Sequence, residues 1–190
     1  PTVHKVYDEA MGLLVGDSLQ TLAFEVIANS ELSSEKKVAV VQSLSQAGGL
    51  FGMAGGQAID LENVGVFLNQ EALTQMHHMK TGALLRSCAR IGAIAGGLTH
   101  EDQCRLDLYA SSLGLLFQVV DDVLDATQDS QTLGKTAGKD AAAHKPTFVS
   151  LLGLDDARQF AQDLHQDCLE SLTIWGENAG LLKSLADRVL

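Results

Sequence analysis

The sequence predicts an all-α protein, a bundle of helices that forms one domain. No proline occurs between Pro1 and Pro146, an interval in which a sandwich or an α/β protein would be expected to carry turn residues. Apolar side chains recur at mixed three- and four-residue spacings, which is typical of amphipathic helices. With 190 residues, of which 46% are hydrophobic, the chain is able to bury a core of ordinary size.

The first two helices are predicted over residues 6–28 and 35–57. The pairs Asn29–Ser30 and Ser33–Ser34 indicate a break and a new start between them. The second helix carries glycines at four-residue intervals, so that one face is free of side chains and either another helix or a ligand can approach it closely. The pattern favours these two interpretations equally. The spaced glycines are Gly48, Gly52 and Gly56, with Gly49 and Gly55 beside them.

The remaining helices follow from their end signals. A third is predicted from Gln70 to Ala95, where Gly96–Gly97 ends it. Thr99, with Asp102 three residues later, predicts a cap that starts a fourth helix, which runs to about Asp125. A polar loop over residues 127–144 separates these from shorter helices around 147–152, 155–175 and 180–190.

Charge and cysteine content exclude several classes of protein. With 24 acidic and 13 basic side chains, the net charge of −11 argues against nucleic-acid binding, which depends on clustered Lys and Arg. The three cysteines form neither a disulfide framework nor a CxxC metal clip, which favours the cytoplasm. Residues 38–59 are long enough for a membrane span, but several Gln and Ser side chains make one unfavourable, and no secretory signal opens the chain.

A cluster of aspartates gives the strongest functional signal. Asp121, Asp125 and Asp129 share one helix face, and Asp122 lies beside them among apolar residues. Because like charges repel more strongly when they are desolvated, the cluster predicts a bound cation. A solvated acidic face is the common alternative for such a motif, but the flanking apolar residues and nearby lysines count against it. These lysines are Lys80, Lys135, Lys139 and Lys145.

The chemistry of these side chains points to magnesium and diphosphate. Oxygen-only ligands favour Mg²⁺ or Ca²⁺ over Zn²⁺, and no EF-hand loop is present. Mg²⁺ on a few carboxylates usually completes its shell with phosphate oxygens, which the lysines would also bind. The adjacent pair His77–His78 is a poor metal site because neighbouring side chains on a helix point in different directions.

Several motifs, in order along the chain, resemble those of the trans-isoprenyl diphosphate synthases, and most closely the bacterial farnesyl diphosphate synthases. GLLFQVVDDVLD (114–125) resembles the family's second aspartate-rich motif, and MHHMKTGALLR (76–86) its Lys-Thr motif. GMAGGQAIDL (52–61) is similar to the Gly-Gln motif, and TLGKTAGKDAAAHKPTF (132–148) to the lysine-bearing loop. PTVH (1–4) resembles the segment that follows the first aspartate-rich motif.

The resemblance implies an isoprenoid-synthase helix bundle around a central cavity. It also implies head-to-tail prenyl transfer between an allylic diphosphate (dimethylallyl or geranyl) and isopentenyl diphosphate, with Mg²⁺ as cofactor and a homodimer as the assembly. The product would be farnesyl diphosphate. Geranylgeranyl diphosphate synthase, a non-catalytic subunit of a heteromeric synthase, a terpene cyclase and an acidic helical scaffold without a ligand stay open as alternatives.

The resemblance also assigns roles to individual residues. Lys80, Thr81 and Gln118 would lie near the developing allylic cation. Gln57 and Asp60 would support a lysine and metal-bound water. At the metal, Asp121 and Asp125 would contact the ion and Asp122 beside them would orient metal-bound water. The allylic diphosphate would be held by Lys80, Lys135 and Lys145.

The first aspartate-rich motif of the family would lie before Pro1, and the N-terminal helices that carry it are absent from this sequence. Residues 1–190 are therefore expected to be the C-terminal two-thirds of a single synthase domain. We expect this chain to be unable to condense the two substrates at a useful rate by itself.

Overall fold

A computed structural model of the chain describes residues 1–127 and 145–190, and every regular element in these ranges is a helix. This confirms the predicted all-α class. The α-helices in chain order are α1 (Val3–Val6), α2 (Glu9–Asn29), α3 (Ser34–Gly48), α4 (Met53–Glu62), α5 (Gln70–His77), α6 (Ala83–Gly96), α7 (His100–Thr127), α8 (Phe148–Leu152), α9 (Leu154–Ser171) and α10 (Gly180–Val189). A π-helical turn, His78–Gly82, joins α5 to α6, and a 3₁₀ segment, Thr173–Ala179, joins α9 to α10.

The chain divides into two compact units, Pro1–Gln42 and Ser43–Leu190. In the first unit, the Asp8 side chain caps α2 by accepting a hydrogen bond from the Met11 backbone N–H at 2.7 Å. By length and composition α2 is the one helix in the described ranges that could cross a membrane, a criterion that core helices of soluble proteins also meet. The boundary between the units falls within α3, and the helices that follow α3 all lie in the second unit.

The prediction of one continuous helix over residues 35–57 is wrong. The structure ends α3 at Gly48 and begins α4 at Met53. Between them the backbone turns so tightly that a Cβ atom at Gly49 would lie 2.8 Å from the carbonyl oxygen of Ser45. Gly52 likewise lies against the Ala47 carbonyl, so glycines here allow a turn rather than extending a helix. The uncharged stretch 38–59 is therefore not a single helix either.

The predicted third helix is also divided, by the π-helical turn, into α5 and α6. Its predicted end is confirmed, because Gly97 adopts a left-handed conformation with φ of 71° and ends α6. The predicted cap of α7 is confirmed as well: the Thr99 hydroxyl oxygen accepts a hydrogen bond from Asp102 N at 3.2 Å. Near the C-terminus, α9 ends at Ser171 rather than at residue 175, and Gly176 in the 3₁₀ segment has a positive φ of 52°.

The hydrophobic core of the second unit surrounds α7, which packs against α6 on one side and α9 on another. Leu116 and Val119 of α7 are fully buried, as are Phe148 of α8 and Cys168 of α9. Together these contacts hold the aspartate-bearing end of α7 close to the start of α8. That placement determines the geometry of the candidate site.

Candidate active site

The centre of the site is the Asp60 carboxylate on α4, which binds two lysines. Its Oδ2 atom accepts hydrogen bonds from Lys80 Nζ at 2.6 Å and from Lys145 Nζ at 3.1 Å. The Asp60 side chain is 7% exposed, whereas the two lysines retain 28% and 30% exposure. The carboxylate is therefore buried behind the lysines, whose ammonium groups remain partly accessible to a ligand.

The electrostatics of Asp60 favour its ionised form. Burial by itself would raise its pKa, but hydrogen bonds and charge interactions with Lys80 and Lys145 outweigh that effect and hold the pKa below its usual value. One carboxylate thus forms ion pairs with two ammonium groups and cancels one of their two positive charges. With both lysines protonated, the group of three side chains carries one net positive charge, which suits an anionic ligand.

Lys80 is placed by an unusual backbone. It lies in the π-helical turn His78–Gly82, which is packed directly against α4. At Gly56 of α4 there is no room for a side chain, since a Cβ atom would lie 2.6 Å from Lys80 Cα and would clash with Lys80 N. On the neighbouring helix, a Cβ at Gly114 would lie 3.0 Å from Gly82 Cα. Glycines on two helices thus let the π-helical turn approach both of them closely.

Of the two interpretations of the glycine face, the structure supports close packing. Gly56 receives the backbone of the Lys80 segment, while a Cβ added at Gly48 would meet open space. Sequence reasoning missed the π-helical turn itself. Such turns occur frequently at functional sites, and here it carries Lys80 and Thr81, two of the predicted catalytic residues.

The predicted metal-binding aspartates lie near the C-terminal end of α7. Asp122 and Asp125 are buried and Asp121 is half-buried. Asp121 and Asp125 are one turn apart and share a face of the helix. Asp122 faces elsewhere, and its Oδ2 accepts a hydrogen bond from the backbone N–H of Phe148 at 2.7 Å.

These aspartates suit a magnesium ion that takes only some of its ligands from the protein. Within residues 1–127 and 145–190, no three Asp, Glu, His or Cys side chains converge closely enough to enclose a metal by themselves. Mg²⁺ is commonly bound by only one or two carboxylates, with water and substrate phosphate filling its octahedron. Asp121 and Asp125 can supply such a partial set, and the two lysines on Asp60 offer ammonium groups of the kind that bind phosphate.

A buried histidine lies beside this group. The ring of His77 stacks on Phe148 with 5.6 Å between centroids and an interplanar angle of 29°. Burial, and secondarily the charge of Lys80, lowers the pKa of His77 to about 4, although Gln118 lies close enough to oppose the shift. His77 is therefore neutral near pH 7 and adds no charge to the site. Among the described residues neither ring nitrogen makes a hydrogen bond of good geometry.

The structure brings together three of the predicted site residues, Asp60, Lys80 and Lys145, in direct contact. Gln57, Thr81 and Gln118 are half-buried on α4, the π-helical turn and α7. Lys135, Lys139 and Asp129 lie outside the described residues.

A helical bundle with lysines held beside an aspartate-rich helix defines the class of the prenyl diphosphate synthases. The polyprenyl synthetase family matches residues 1–173, and the chain belongs to that family. The recognised resemblance and the isoprenoid-synthase fold are thereby confirmed.

Individual relatives show how close the similarity is. A probable farnesyl diphosphate synthase of Bradyrhizobium diazoefficiens is 46% identical over 99% of the chain. A chloroplastic geranylgeranyl pyrophosphate synthase of Catharanthus roseus is 44% identical over all of it. The crystal structure of the Helicobacter pylori geranyltransferase in complex with magnesium and isoprenyl diphosphate is 37% identical, with a TM-score of 0.85 over the whole chain.

The chain spans only part of the length of these proteins. It covers 58% of the Bradyrhizobium protein, 54% of the Catharanthus protein and 62% of the Helicobacter chain. The relatives are named as a farnesyl diphosphate synthase, a geranylgeranyl pyrophosphate synthase and a geranyltransferase, all of which are prenyltransferases.

Proposed function

We propose that this protein catalyses Mg²⁺-dependent head-to-tail prenyl transfer, making farnesyl diphosphate. The C1–O bond of dimethylallyl or geranyl diphosphate breaks and releases inorganic diphosphate. The C4 atom of isopentenyl diphosphate forms the new bond to C1, and a proton leaves its C2 atom for an oxygen of the departing diphosphate. The observation that carries the proposal is the convergence of Lys80 and Lys145 on Asp60 in a chain of this family.

Lys80 and Lys145 would bind the allylic diphosphate and neutralise the charge that develops on it as the C–O bond breaks. Their partial exposure leaves both ammonium groups able to exchange the Asp60 carboxylate for phosphate oxygens. Lys135 would be a third diphosphate ligand, as the family resemblance implies. A magnesium ion on Asp121 and Asp125 would supply further neutralisation of the leaving group.

The carbonyl of Lys80, the Thr81 hydroxyl and the Gln118 amide oxygen would lie near the developing allylic cation. The π-helical turn supports this assignment, because its i→i+5 hydrogen bonds interrupt the regular α-helical pattern just where Lys80 and Thr81 lie. Oxygen dipoles that are fixed in this way stabilise positive charge without having to reorient during the reaction. Gln57, one turn before Asp60, would help to position the lysine.

The experiment uses the protein extended to the length of its relatives, because the 190-residue chain is expected to be inactive by itself. It compares that protein with its Lys80→Ala, Lys145→Ala and Lys183→Ala variants in an assay with labelled isopentenyl diphosphate and geranyl diphosphate. Loss of a charge-assisted contact to the diphosphate is expected to lower kcat/KM by about 10- to 100-fold for the first two variants. Lys183 is the matched control, since its Nζ donates to the backbone carbonyl of Gly176 on the C-terminal segment. Equal activity in all four proteins would refute the assignment.

Product length separates the two synthase candidates. Similarity to a farnesyl diphosphate synthase at 46% identity favours a C15 product, while the geranylgeranyl synthase at 44% keeps C20 as the second candidate. Chromatography of the dephosphorylated products distinguishes them directly. We expect the 190-residue chain to be inactive by itself and a version extended to the length of its relatives to be active, so both are assayed.

We further propose a cytoplasmic homodimer. A relative of the chain, 43% identical, is named as the large subunit of a heterodimeric geranylgeranyl pyrophosphate synthase, so a heteromeric assembly is the second candidate. Sedimentation of the purified protein, with and without partner subunits, decides between the two. A homogeneous dimer of the extended protein with full activity would exclude the need for a partner.

A further inference from the structure

The contact between α7 and α8 involves a carboxylate that the sequence pattern places in the metal motif. Asp122 Oδ2 accepts a hydrogen bond from Phe148 N at 2.7 Å, across 26 residues of chain. Phe148 is the first residue of α8, and such N–H groups have no partner within their own helix. Both residues are buried, so loss of this bond would leave a polar group without water.

The side chain of Phe148 is held as firmly as its backbone. Its fully buried ring stacks on His77 on one side and contacts Phe160 on another, each with 5.6 Å between centroids. A capping box closes the first turn of α8: Thr147 Oγ1 accepts from Ser150 N, and Ser150 Oγ from Thr147 N, both at 3.0 Å. These contacts fix the point at which the chain enters α8.

Lys145 lies three residues before Phe148, a distance of at most about 10 Å along an extended chain. Pro146 lies between them and restricts the backbone further, because its ring fixes φ. From this position Lys145 Nζ reaches Asp60 Oδ2 at 3.1 Å. The Asp122–Phe148 bond therefore determines the point from which the Lys145 side chain extends to the site.

The orientation of Asp122 separates it from its neighbours in the motif. Successive residues on a helix are rotated by about 100°, so Asp122 does not share the face of Asp121 and Asp125. One of its oxygens is committed to α8. We propose that Asp122 is a positioning residue which acts on diphosphate binding through Phe148 and Lys145, and that it is not a direct metal ligand. The link to diphosphate rests on the proposed function, whereas the link to Lys145 does not.

The test uses the purified protein, magnesium chloride and inorganic pyrophosphate, with affinity measured by calorimetry. Asp122→Ala removes the acceptor and is expected to weaken pyrophosphate binding about tenfold. Asp122→Asn keeps an oxygen that can accept from Phe148 N, and is expected to bind within about threefold of wild type. Asp121→Asn is the matched control: it should raise the Mg²⁺ concentration needed for half-maximal pyrophosphate binding, while Asp122→Asn should leave that concentration unchanged.

A double-mutant cycle with Lys145→Met tests the route of the effect. If Asp122 acts through Lys145, adding Asp122→Ala to Lys145→Met should cause no further loss of affinity. A further tenfold loss in that background would overturn the proposal. So would an Asp122→Asn variant that is as impaired as Asp122→Ala and needs more Mg²⁺, because that is the behaviour of a metal ligand.

Hydrogen exchange at the Phe148 amide tests the anchoring contact without any ligand. The amide should be protected in wild type and in Asp122→Asn, and should exchange at least tenfold faster in Asp122→Ala; equal protection in all three overturns the proposal. If Asp122→Ala fails to fold, the proposal is tested with Asp122→Asn alone. The two measurements are then the protection of the Phe148 amide and the Mg²⁺ concentration needed for half-maximal pyrophosphate binding. Failure of the wild-type protein to bind pyrophosphate at all would instead overturn the proposed function. In that case amide exchange still tests the hydrogen bond between Asp122 and Phe148.

Discussion

Replacement of Gly56 by alanine tests the packing that places Lys80. In α4 a Cβ at this position would lie 2.6 Å from Lys80 Cα, and it would clash more severely with Lys80 N. Ordinary van der Waals contact begins at 3.4 Å, so α4 and the π-helical turn must separate by about 1 Å. The clash is between backbones, and no flexible side chain can move aside to relieve it.

The expected magnitude follows from two opposing effects. Alanine is a better helix former than glycine by about 1 kcal/mol, which stabilises α4. Overpacking of a close contact costs about 1–3 kcal/mol, and a clash of backbones belongs at the upper end of that range. The free energy of unfolding should therefore fall by about 2 kcal/mol. The same separation should lengthen the 2.6 Å contact between Lys80 and Asp60 and weaken pyrophosphate binding.

Urea denaturation of Gly56→Ala and Gly92→Ala measures these effects. Gly92 is the matched control, because it lies within α6 and a Cβ there would meet no atom within 4 Å. Gly92→Ala should gain up to about 1 kcal/mol of stability and leave pyrophosphate affinity unchanged. If Gly56→Ala is stabilised as Gly92→Ala is, the close approach of α4 to the π-helical turn is not a constraint and the argument about Lys80 fails.

Three further predictions concern stability and reactivity. Thr99→Ala should cost about 1 kcal/mol of unfolding free energy by removing the cap of α7, with Thr99→Ser nearly unchanged in urea denaturation. His77 has a pKa lowered from 6.5 to about 4 in the folded state, so it favours unfolding as pH falls through that window. The stability lost between pH 7 and pH 4 should therefore be smaller in His77→Gln than in wild type. A thiol reagent such as Ellman's should label exposed Cys88 and Cys104 in the native protein but Cys168 only after unfolding, because burial raises the pKa of Cys168 to about 12.

The sequence predicts helices and their ends best where a local interaction decides them. Thr99 and Asp102 predict the start of α7, and Gly97 predicts the end of α6. Both helix ends are determined by hydrogen bonds between residues that are close in the sequence. The break at residues 49–52 and the π-helical turn at 78–82 depend instead on contacts with other parts of the chain. A glycine that permits a sharp turn and a glycine that admits another backbone look the same in one sequence, so spacing alone cannot separate them.

The candidate site divides in the same way. The family resemblance places Lys80, Lys145 and Asp60 in one site. In the structure Asp60 contacts both lysines, while their roles in catalysis stay a prediction. The family resemblance places Asp122 at the metal beside Asp121 and Asp125, with a role in orienting metal-bound water. Asp122 contacts the backbone amide of Phe148, which lies 26 residues later in the chain, and no local sequence pattern predicts this contact.

The arrangement around Asp60 explains why the proposed anion site would contain a buried carboxylate. Lys80 and Lys145 both contact the same Oδ2 atom, so their ammonium groups lie within about 6 Å of each other and would repel without it. Asp60 cancels one of the two positive charges and holds both lysines near the position where they would meet diphosphate. Its lowered pKa favours the ionised form, which keeps both lysines paired with it. The carboxylate lowers the net positive charge by one and so weakens the attraction for an anion. Because it already orders the two long lysine side chains, less conformational entropy would be lost when an anion binds.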